Sequence, residues 1–258
     1  MADHYIEFRG VTKWFGDHRV LDDVSFFVDP GQTCVIMGRS GVGKSVTLKH
    51  ILGFLKPDEG RVIVAGNDIT DWSEERLRQI RRRVTMVFQS GALFDSLTVR
   101  ENIAFPLTER EITDKEWGPE KIDARVRELA DMLEITEFLD KTPPELSTGT
   151  KRAVAIARAL AQDPEAILYD EPTTMVDPLM AVHTGNLILK LKEKMHKTSV
   201  VVTHDTHLAK KLADSVVFLR DGRVVFFGPW KEFEASSDPF LRNFRQQDEL
   251  IPALDAEV

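Results

Sequence analysis

Residues Gly38–Ser45 constrain the fold more than any other feature of the sequence. They fit the pattern G-x-x-x-x-G-K-[ST], follow the apolar run 34–37, and precede a segment with an apolar helical face. Glycines at these positions let the chain wrap a phosphate with inward-pointing backbone N–H groups, and the following helix adds its positive dipole end. The pattern predicts a nucleotide-binding α/β protein. The predicted binding residues are Gly38, Arg39, Ser40, Gly41, Val42, Gly43, Lys44 and Ser45.

Apolar runs and helical patterns alternate along the rest of the chain. The runs that predict further buried strands are 84–88, 166–169, 199–203 and 216–219. Strands that alternate with helices indicate a parallel sheet, as in a P-loop NTPase core. The first 30 residues predict antiparallel strands, whereas the region from Ser96 to Ala161 predicts helices. We expect one domain, with a core and N-terminal antiparallel β subdomain at 1–95 and 162–228, an inserted helical lobe at 96–161 and a C-terminal helical tail at 229–258.

Charge and cysteine content narrow the function classes. Lys and Arg number 34 against 42 Asp and Glu, a formal net charge of −8, which argues against wholesale coating of nucleic acid. Cys34 is the single cysteine, so the sequence offers neither a disulfide framework nor a cysteine-based zinc site. No apolar run approaches the roughly 18 residues of a spanning helix, and the start lacks the layout of a secretory signal. We therefore expect a cytoplasmic protein that a partner would hold at any membrane.

Two adjacent carboxylates end the strand predicted at 166–169. Asp170 is suited to the coordination shell of Mg²⁺ together with the Ser45 hydroxyl, because Mg²⁺ prefers oxygen ligands. Glu171 is suited to orient and polarise an attacking water. The guanine-selecting N-K-x-D motif is absent, which weighs against a GTPase.

A further motif separates this chain from other P-loop proteins. Leu146–Thr150 and the alanine-rich helix after it resemble the L-S-G-G-Q signature of ATP-binding-cassette (ABC) ATPases. Taken alone, Ser147 would indicate only a helix N-cap. However, the complete motif order of the family is present from Phe15 to His204. The resemblance covers essentially the whole chain and implies the ABC ATPase fold, with ATP and Mg²⁺ as ligands.

The resemblance implies roles for residues outside the phosphate loop. Phe15 would stack on adenine, although without the family it would indicate a core aromatic residue. Gln89 would contact Mg²⁺ and the attacking water and would relay movement from a membrane partner. Glu171 and His204 would complete the catalytic set, with His204 contacting the γ-phosphate.

The resemblance also implies a dimer. In ABC ATPases the phosphate loop of one chain meets the signature of its partner, with two ATP molecules at the interface. Ser147 and Gly149 would therefore close over ATP bound to the other subunit, and Asp177 would shape the interface. Because this chain carries both halves of the site, a homodimer would suffice.

Two segments depart from the family pattern. Thr148 stands where the signature has its first glycine, and Thr150 replaces the usual Gln. Residues 174–176, Thr-Met-Val, replace a segment in which the family usually has a small residue and Leu. A β-branched residue at position 148 restricts the backbone, so we expect slow basal hydrolysis, not inactivity.

The run from Gln89 to Leu107 bears on the substrate. It lies where ABC subunits dock the coupling helix of a permease, and its sequence resembles the ATPases of MCE-type lipid transporters, which include the Mla phospholipid-trafficking and toluene-tolerance systems. We expect an ATPase at the inner face of the cytoplasmic membrane that powers lipid trafficking through a permease, with an MCE-domain lipid-binding protein as a further partner and no nucleic acid. The alternatives are an importer of a polar solute and a non-transport regulator of cell-wall hydrolysis or division.

Overall fold

The computed structural model describes residues 4–113 and 117–254. The strands in the described residues are β1 (Ile6–Phe15), β2 (His18–Val28), β3 (Thr33–Met37), β4 (Glu59–Val64), β5 (Asn67–Asp68), β6 (Val84–Val87), β7 (Ala166–Asp170), β8 (Thr198–Val202), β9 (Ser215–Arg220) and β10 (Arg223–Pro229). The α-helices there are α1 (Lys44–Ile51), α2 (Glu74–Arg83), α3 (Val99–Thr113), α4 (Pro119–Met132), α5 (Thr148–Leu160), α6 (Pro178–Met195), α7 (Thr206–Leu212), α8 (Trp230–Ala235) and α9 (Pro239–Leu254). Within the described part of the chain, no helix is long and apolar enough to cross a membrane.

The chain forms two compact units. The first unit joins Met1–Asp71 to Val200–Val258, and the second comprises Trp72–Ser199. The domain boundaries given above, including the helical lobe at 96–161, stay a prediction.

An antiparallel sheet with strand order β2-β1-β4-β5 lies in the first unit. Its central strand β1 pairs with β2, where Ile6 lies opposite Val28, and with β4, where Ile6 lies opposite Val64. All three of these side chains are fully buried, as expected for a sheet with one face on the core. The expected N-terminal antiparallel strands are confirmed, and β4 and β5 extend the sheet beyond what the sequence indicated.

The strand that precedes the phosphate loop is buried along its whole length. β3 pairs in parallel with β9, from Cys34 opposite Ser215 to Met37 opposite Phe218. Burial raises the pKa of the Cys34 thiol to about 12, which keeps it protonated and unreactive. The following strand β10 turns back antiparallel to β9 through Asp221 and Gly222, both with positive φ, as expected for an Asp-Gly hairpin.

The second unit has a parallel strand pair and helices. β6 and β7 pair in parallel, from Val84 opposite Ala166 to Val87 opposite Tyr169. Among the described residues from Ser96 to Ala161 no strand occurs, which confirms the helical character expected there. Helix α5 packs against α3, α4 and α6. The α/β fold expected from the sequence is confirmed.

Candidate active site

The phosphate loop connects β3 to α1 in the first unit and depends on its glycines. Gly38, Gly41 and Gly43 have φ values of +145°, +81° and +104°, a region that favours glycine. A Cβ atom added at Gly38 would lie 2.4 Å from the backbone oxygen of Leu219, and one at Gly43 would lie 2.6 Å from Cδ2 of Leu21. The loop therefore has the tight backbone that the sequence motif predicts.

The polar side chains of this loop suit a triphosphate and its cation. Lys44 is the first residue of α1 and is buried, and its Nζ donates to the backbone oxygens of Gly38 at 3.0 Å and Arg39 at 3.2 Å. The ammonium thus lies against the loop that is expected to hold the phosphates. The half-buried Ser45 follows it in the first turn of the helix, where backbone N–H groups lack partners within the helix. The ammonium and the helix N-terminus suit an anionic phosphate, and the hydroxyl oxygen suits Mg²⁺.

The exposed Arg39 extends from the loop toward the C-terminal tail. Its guanidinium carbon lies 5.9 Å from the ring centre of Phe240, and Arg220 lies 4.2 Å from the same ring. These three side chains border a cleft of about 160 Å³ in the first unit.

Two other predicted residues belong to the same unit. Phe15 ends β1 with 46% of its surface exposed, so its ring is accessible for stacking. His204 lies two residues beyond β8 and is exposed. The structure keeps both side chains accessible to solvent, as a ligand-contacting role requires.

The paired carboxylates lie at the end of β7 in the second unit. Asp170 is the last residue of the strand, and Glu171 follows it with a φ of +48°, an uncommon conformation for a residue with a side chain. The hydroxyl of Thr174 donates to Oε2 of Glu171 at 3.0 Å. The local turn therefore fixes the orientation of the Glu171 carboxylate.

The signature segment forms the N-terminus of α5. Ser147 is the N-cap, and its Oγ accepts from the backbone N–H of Thr150 at 3.1 Å and lies 2.8 Å from the hydroxyl oxygen of Thr150. A Cβ atom added at Gly149 would lie 1.6 Å from Cε of Met180, so α5 and α6 approach closely there. Thr150 thus engages the serine hydroxyl that the family resemblance assigns to ATP.

Gln89 and Asp177 also belong to the second unit. Gln89 lies two residues beyond β6 and is half-buried. Asp177 is the N-cap of α6, where its Oδ1 accepts from the backbone N–H of Met180 at 2.9 Å. Three apolar side chains near Asp177 in the sequence are exposed, namely Met175, Leu179 and Val182.

Arg152 belongs to no motif that the sequence indicated, and the structure connects it to the carboxylate segment. Its Nη2 donates to the backbone oxygen of Thr174 at 2.9 Å, although the residue is only 5% exposed. Burial lowers the pKa of its guanidinium. Helical spacing could have indicated that Arg152 is buried. It precedes the buried Ile156 by four residues and therefore falls on the same face of α5.

Comparison with known proteins identifies the family. The family model for ABC transporters matches residues 21–174. The chain is also 36% identical over 239 residues to the probable ribonucleotide transport ATP-binding protein mkl of Mycobacterium leprae, covering 93% of this chain and 68% of that protein. The chain belongs to the ABC transporter family.

Two further relatives place this ABC chain among ATP-binding subunits. It is 37% identical over 248 residues to the sulfate/thiosulfate import ATP-binding protein CysA of Synechococcus elongatus, covering 96% of this chain and 69% of that protein. The dimeric post-hydrolysis structure of the ATP-binding cassette MJ0796 bound to ADP and Pi matches with a TM-score of 0.78 and 34% identity, covering 87% of this chain and 98% of that one. The chain spans 66% to 69% of the length of curated relatives such as mkl and CysA.

Membership of the ABC family establishes the reaction. ABC cassettes bind ATP with Mg²⁺ and hydrolyse it, so this chain is an ATP-binding, ATP-hydrolysing subunit of a transporter. The phosphate loop described above has the backbone and the polar side chains that this reaction requires.

Proposed function

We propose that this chain powers phospholipid trafficking through a membrane permease. The observation that carries the proposal is a groove of about 430 Å³ in the second unit, to which the run Gln89–Leu107 contributes four lining residues. This is the run whose sequence resembles the ATPases of MCE-type lipid transporters. The residues that line the groove are Arg81, Thr85, Met86, Phe88, Ala92, Phe94, Phe105, Pro106, Arg158, Ala159 and Gln162.

The groove combines aromatic surface with positive charge. Phe88, Phe94 and Phe105 are each 40% to 42% exposed, and the rings of Phe94 and Phe105 lie 4.6 Å apart. Arg158 donates to the backbone oxygen of Gly91 at 2.9 Å and lies 5.6 Å from the Phe94 ring. The described lining includes two arginines and no acidic residue. Arg81 already pairs with Glu74, so Arg158 is the cation that suits a helix with apolar side chains and a carboxylate. The docking segment of a permease would supply such a helix.

The hydrolytic roles follow from the residue types at each position. We assign binding of the phosphates to the loop and Lys44, which donate N–H groups to anionic oxygens. Glu171 would act as the base that orients the attacking water, and His204 would contact the γ-phosphate. Gln89 would contact both the water and the cation.

The metal-binding assignment is limited to oxygen donors. Ser45, Gln89 and Asp170 would hold Mg²⁺, which neutralises charge on the phosphate oxygens when bound. Their hydroxyl, amide and carboxylate oxygens fit a hard cation.

We also propose a homodimer held by two ATP molecules. Ser147 and Gly149 would close over the nucleotide of the partner subunit, and Asp177 would lie at the interface. The exposed Met175, Leu179 and Val182 are close together in the sequence and support this assignment, because clustered exposed apolar side chains are typical of interaction surfaces. Under this proposal Phe15 stacks on adenine.

The assignment of a phospholipid substrate rests on the resemblance of the run Gln89–Leu107 to the ATPases of MCE-type lipid transporters. The names of mkl and CysA refer to ribonucleotide and sulfate/thiosulfate transport, so an importer of a polar solute is the competing function. A regulator of cell-wall hydrolysis or division is a further alternative from the sequence. The lipid proposal adds an MCE-domain lipid-binding partner and places the chain at the inner face of the cytoplasmic membrane.

Capture of the native complex in a gentle detergent tests this proposal. We would purify the tagged chain and identify its proteins and lipids by mass spectrometry, alongside Phe94→Asp and the control Phe54→Asp. Phe54 is 50% exposed and belongs to the first unit, outside the groove lining. A charge at Phe94 should abolish permease recovery, because it places a carboxylate in an aromatic docking surface.

The outcomes separate the proposals. The lipid proposal predicts a permease, an MCE-domain protein and bound phospholipid with the wild type and with Phe54→Asp, and none with Phe94→Asp. Recovery of a permease with a soluble solute-binding protein and no lipid would support the polar-solute importer. Recovery of the same permease by Phe94→Asp would exclude the groove as the docking surface.

A further inference from the structure

A buried arginine joins the two segments in which this chain departs from the ABC pattern. Arg152 lies in α5, which begins with the departing residues Thr148 and Thr150. Its Nη2 donates at 2.9 Å to the backbone oxygen of Thr174, the first of the three departing residues before Asp177. One hydrogen bond therefore joins the helix that begins with the first departure to the segment that holds the second.

Thr174 carries this contact on to Glu171. Its backbone N–H donates to the backbone oxygen of Glu171 at 3.2 Å, and its hydroxyl donates to Oε2 of the same residue at 3.0 Å. A continuous path of hydrogen bonds thus runs from the signature helix to the carboxylate. Because Glu171 has a φ of +48°, its backbone conformation depends on such surrounding contacts.

The environment of Arg152 opposes a break in this path. The residue is 5% exposed, and its Nη1 is buried with no hydrogen-bond partner among the described residues. Movement of Thr174 away from Arg152 would remove the hydrogen-bond partner of Nη2 in a buried cationic group, which is costly. A second close contact, between Gly149 and Met180, also joins α5 to α6. We expect α5 and the turn after β7 to move together.

We propose that Arg152 is a positioning residue that couples the signature helix to the orientation of Glu171. It acts through Thr174 and does not itself touch the nucleotide. When contact with ATP bound to the partner subunit displaces the start of α5, the hydrogen-bonded path transmits this displacement to the Glu171 carboxylate. This inference rests on the role of general base proposed above for Glu171.

Steady-state ATPase measurements on the full chain test the coupling. Arg152→Met keeps an unbranched side chain but removes the guanidinium, whereas Arg152→Lys keeps a cationic donor. We expect Arg152→Met to lower kcat by about 10- to 100-fold with KM for ATP unchanged, because small misplacements of a catalytic group have effects of this size. Arg152→Lys should recover part of the lost kcat.

Arg125→Met is the matched control. Arg125 also donates to backbone oxygens of buried residues at the other end of α5, at 3.0 Å to Leu160 and 3.4 Å to Ala161, with no contact to the carboxylate segment. It should lower thermal stability without lowering kcat of the folded protein. Thr174→Val retains the backbone oxygen and removes the hydroxyl, so it should lower kcat as Arg152→Met does. If Arg152→Met does not fold, an unchanged kcat in Thr174→Val still overturns the coupling, because the path to Glu171 runs through this hydroxyl.

The possible failures are distinguishable. If Glu171→Gln retains turnover, the proposed role of Glu171 is wrong and the coupling falls with it. If Glu171→Gln is inactive but both Arg152→Met and Thr174→Val keep kcat within about twofold of wild type, only the coupling is wrong. Equal losses of kcat in Arg152→Met and Arg125→Met would also overturn it, because a general weakening of α5 would then explain the effect.

Discussion

The phosphate loop allows a prediction in which two substitutions share one kind of strain and differ in another. Gly38 and Gly41 both have positive φ values, +145° and +81°. A Cβ atom at Gly38 would lie 2.4 Å from the backbone oxygen of Leu219, whereas a Cβ atom at Gly41 would meet nothing within 4 Å. Gly38→Ala therefore combines a more strained φ with a close contact to β9, whereas Gly41→Ala carries the strain of a positive φ alone.

The expected magnitudes follow from these two terms. A positive φ costs an alanine about 1–2 kcal/mol in the folded state, and a stiffer unfolded chain offsets about 0.4–1 kcal/mol of that. Gly41→Ala should therefore lower the free energy of unfolding by about 1 kcal/mol. Gly38→Ala adds the cost of forcing an atom against a backbone oxygen, about 1–3 kcal/mol. Its total should be about 2–4 kcal/mol.

Denaturation by guanidinium chloride, followed by far-UV circular dichroism without nucleotide, measures both values. The denaturant dependence of unfolding should be equal in the two variants, so that the difference lies in the midpoint. Equal losses for the two variants, within about 0.5 kcal/mol, would refute the reasoning, because overpacking of this kind typically costs about 1–3 kcal/mol.

Two further predictions concern turnover and pH. The double variant Thr148→Gly/Thr150→Gln should raise basal kcat for ATP hydrolysis. It removes a β-branched residue from the start of α5 and releases the Ser147 hydroxyl from the Thr150 hydroxyl. Turnover equal to wild type in the steady-state ATPase assay would contradict this prediction. Burial lowers the pKa of His50 below its usual value of 6.5, so the folded protein favours the neutral ring. The contribution of His50 to stability is complete above the unfolded pKa of 6.5 and is lost progressively as the pH falls below it, through the lower pKa of the folded state. The free energy of unfolding should therefore fall less steeply between about pH 7 and pH 5 in His50→Gln than in wild type. Identical slopes in the two proteins would show that His50 does not contribute to this pH dependence of stability.

The elements that local sequence determines were predicted best. The loop between β3 and α1 has glycines at strained positions and an apolar strand before it, so the motif and its setting agree. The Asp221-Gly222 turn is equally local. In contrast, β4 begins with the polar Glu59-Gly60-Arg61 and pairs with β1, about 50 residues earlier, so its pattern alone did not indicate a strand.

In the candidate site, too, sequence motifs indicated some residues, whereas other contacts depend on the fold. The motifs indicated Lys44 and Glu171 as candidates, because the phosphate loop and the acidic pair each follow a buried strand. They did not indicate the positive φ of Glu171 or its bond to Thr174, since both depend on the turn as folded. Arg152 and its partner Thr174 are 22 residues apart, and only the packing of α5 brings them together.

ATP-dependent phospholipid movement tests the central claim most directly. The complex captured with this chain would be reconstituted in liposomes that contain a fluorescent phospholipid, with a Glu171→Gln complex prepared in parallel. The account predicts lipid movement that requires Mg²⁺ and ATP in the wild-type complex and is absent from Glu171→Gln. Wild-type ATP hydrolysis that drives uptake of a polar solute, with no lipid movement, would contradict it.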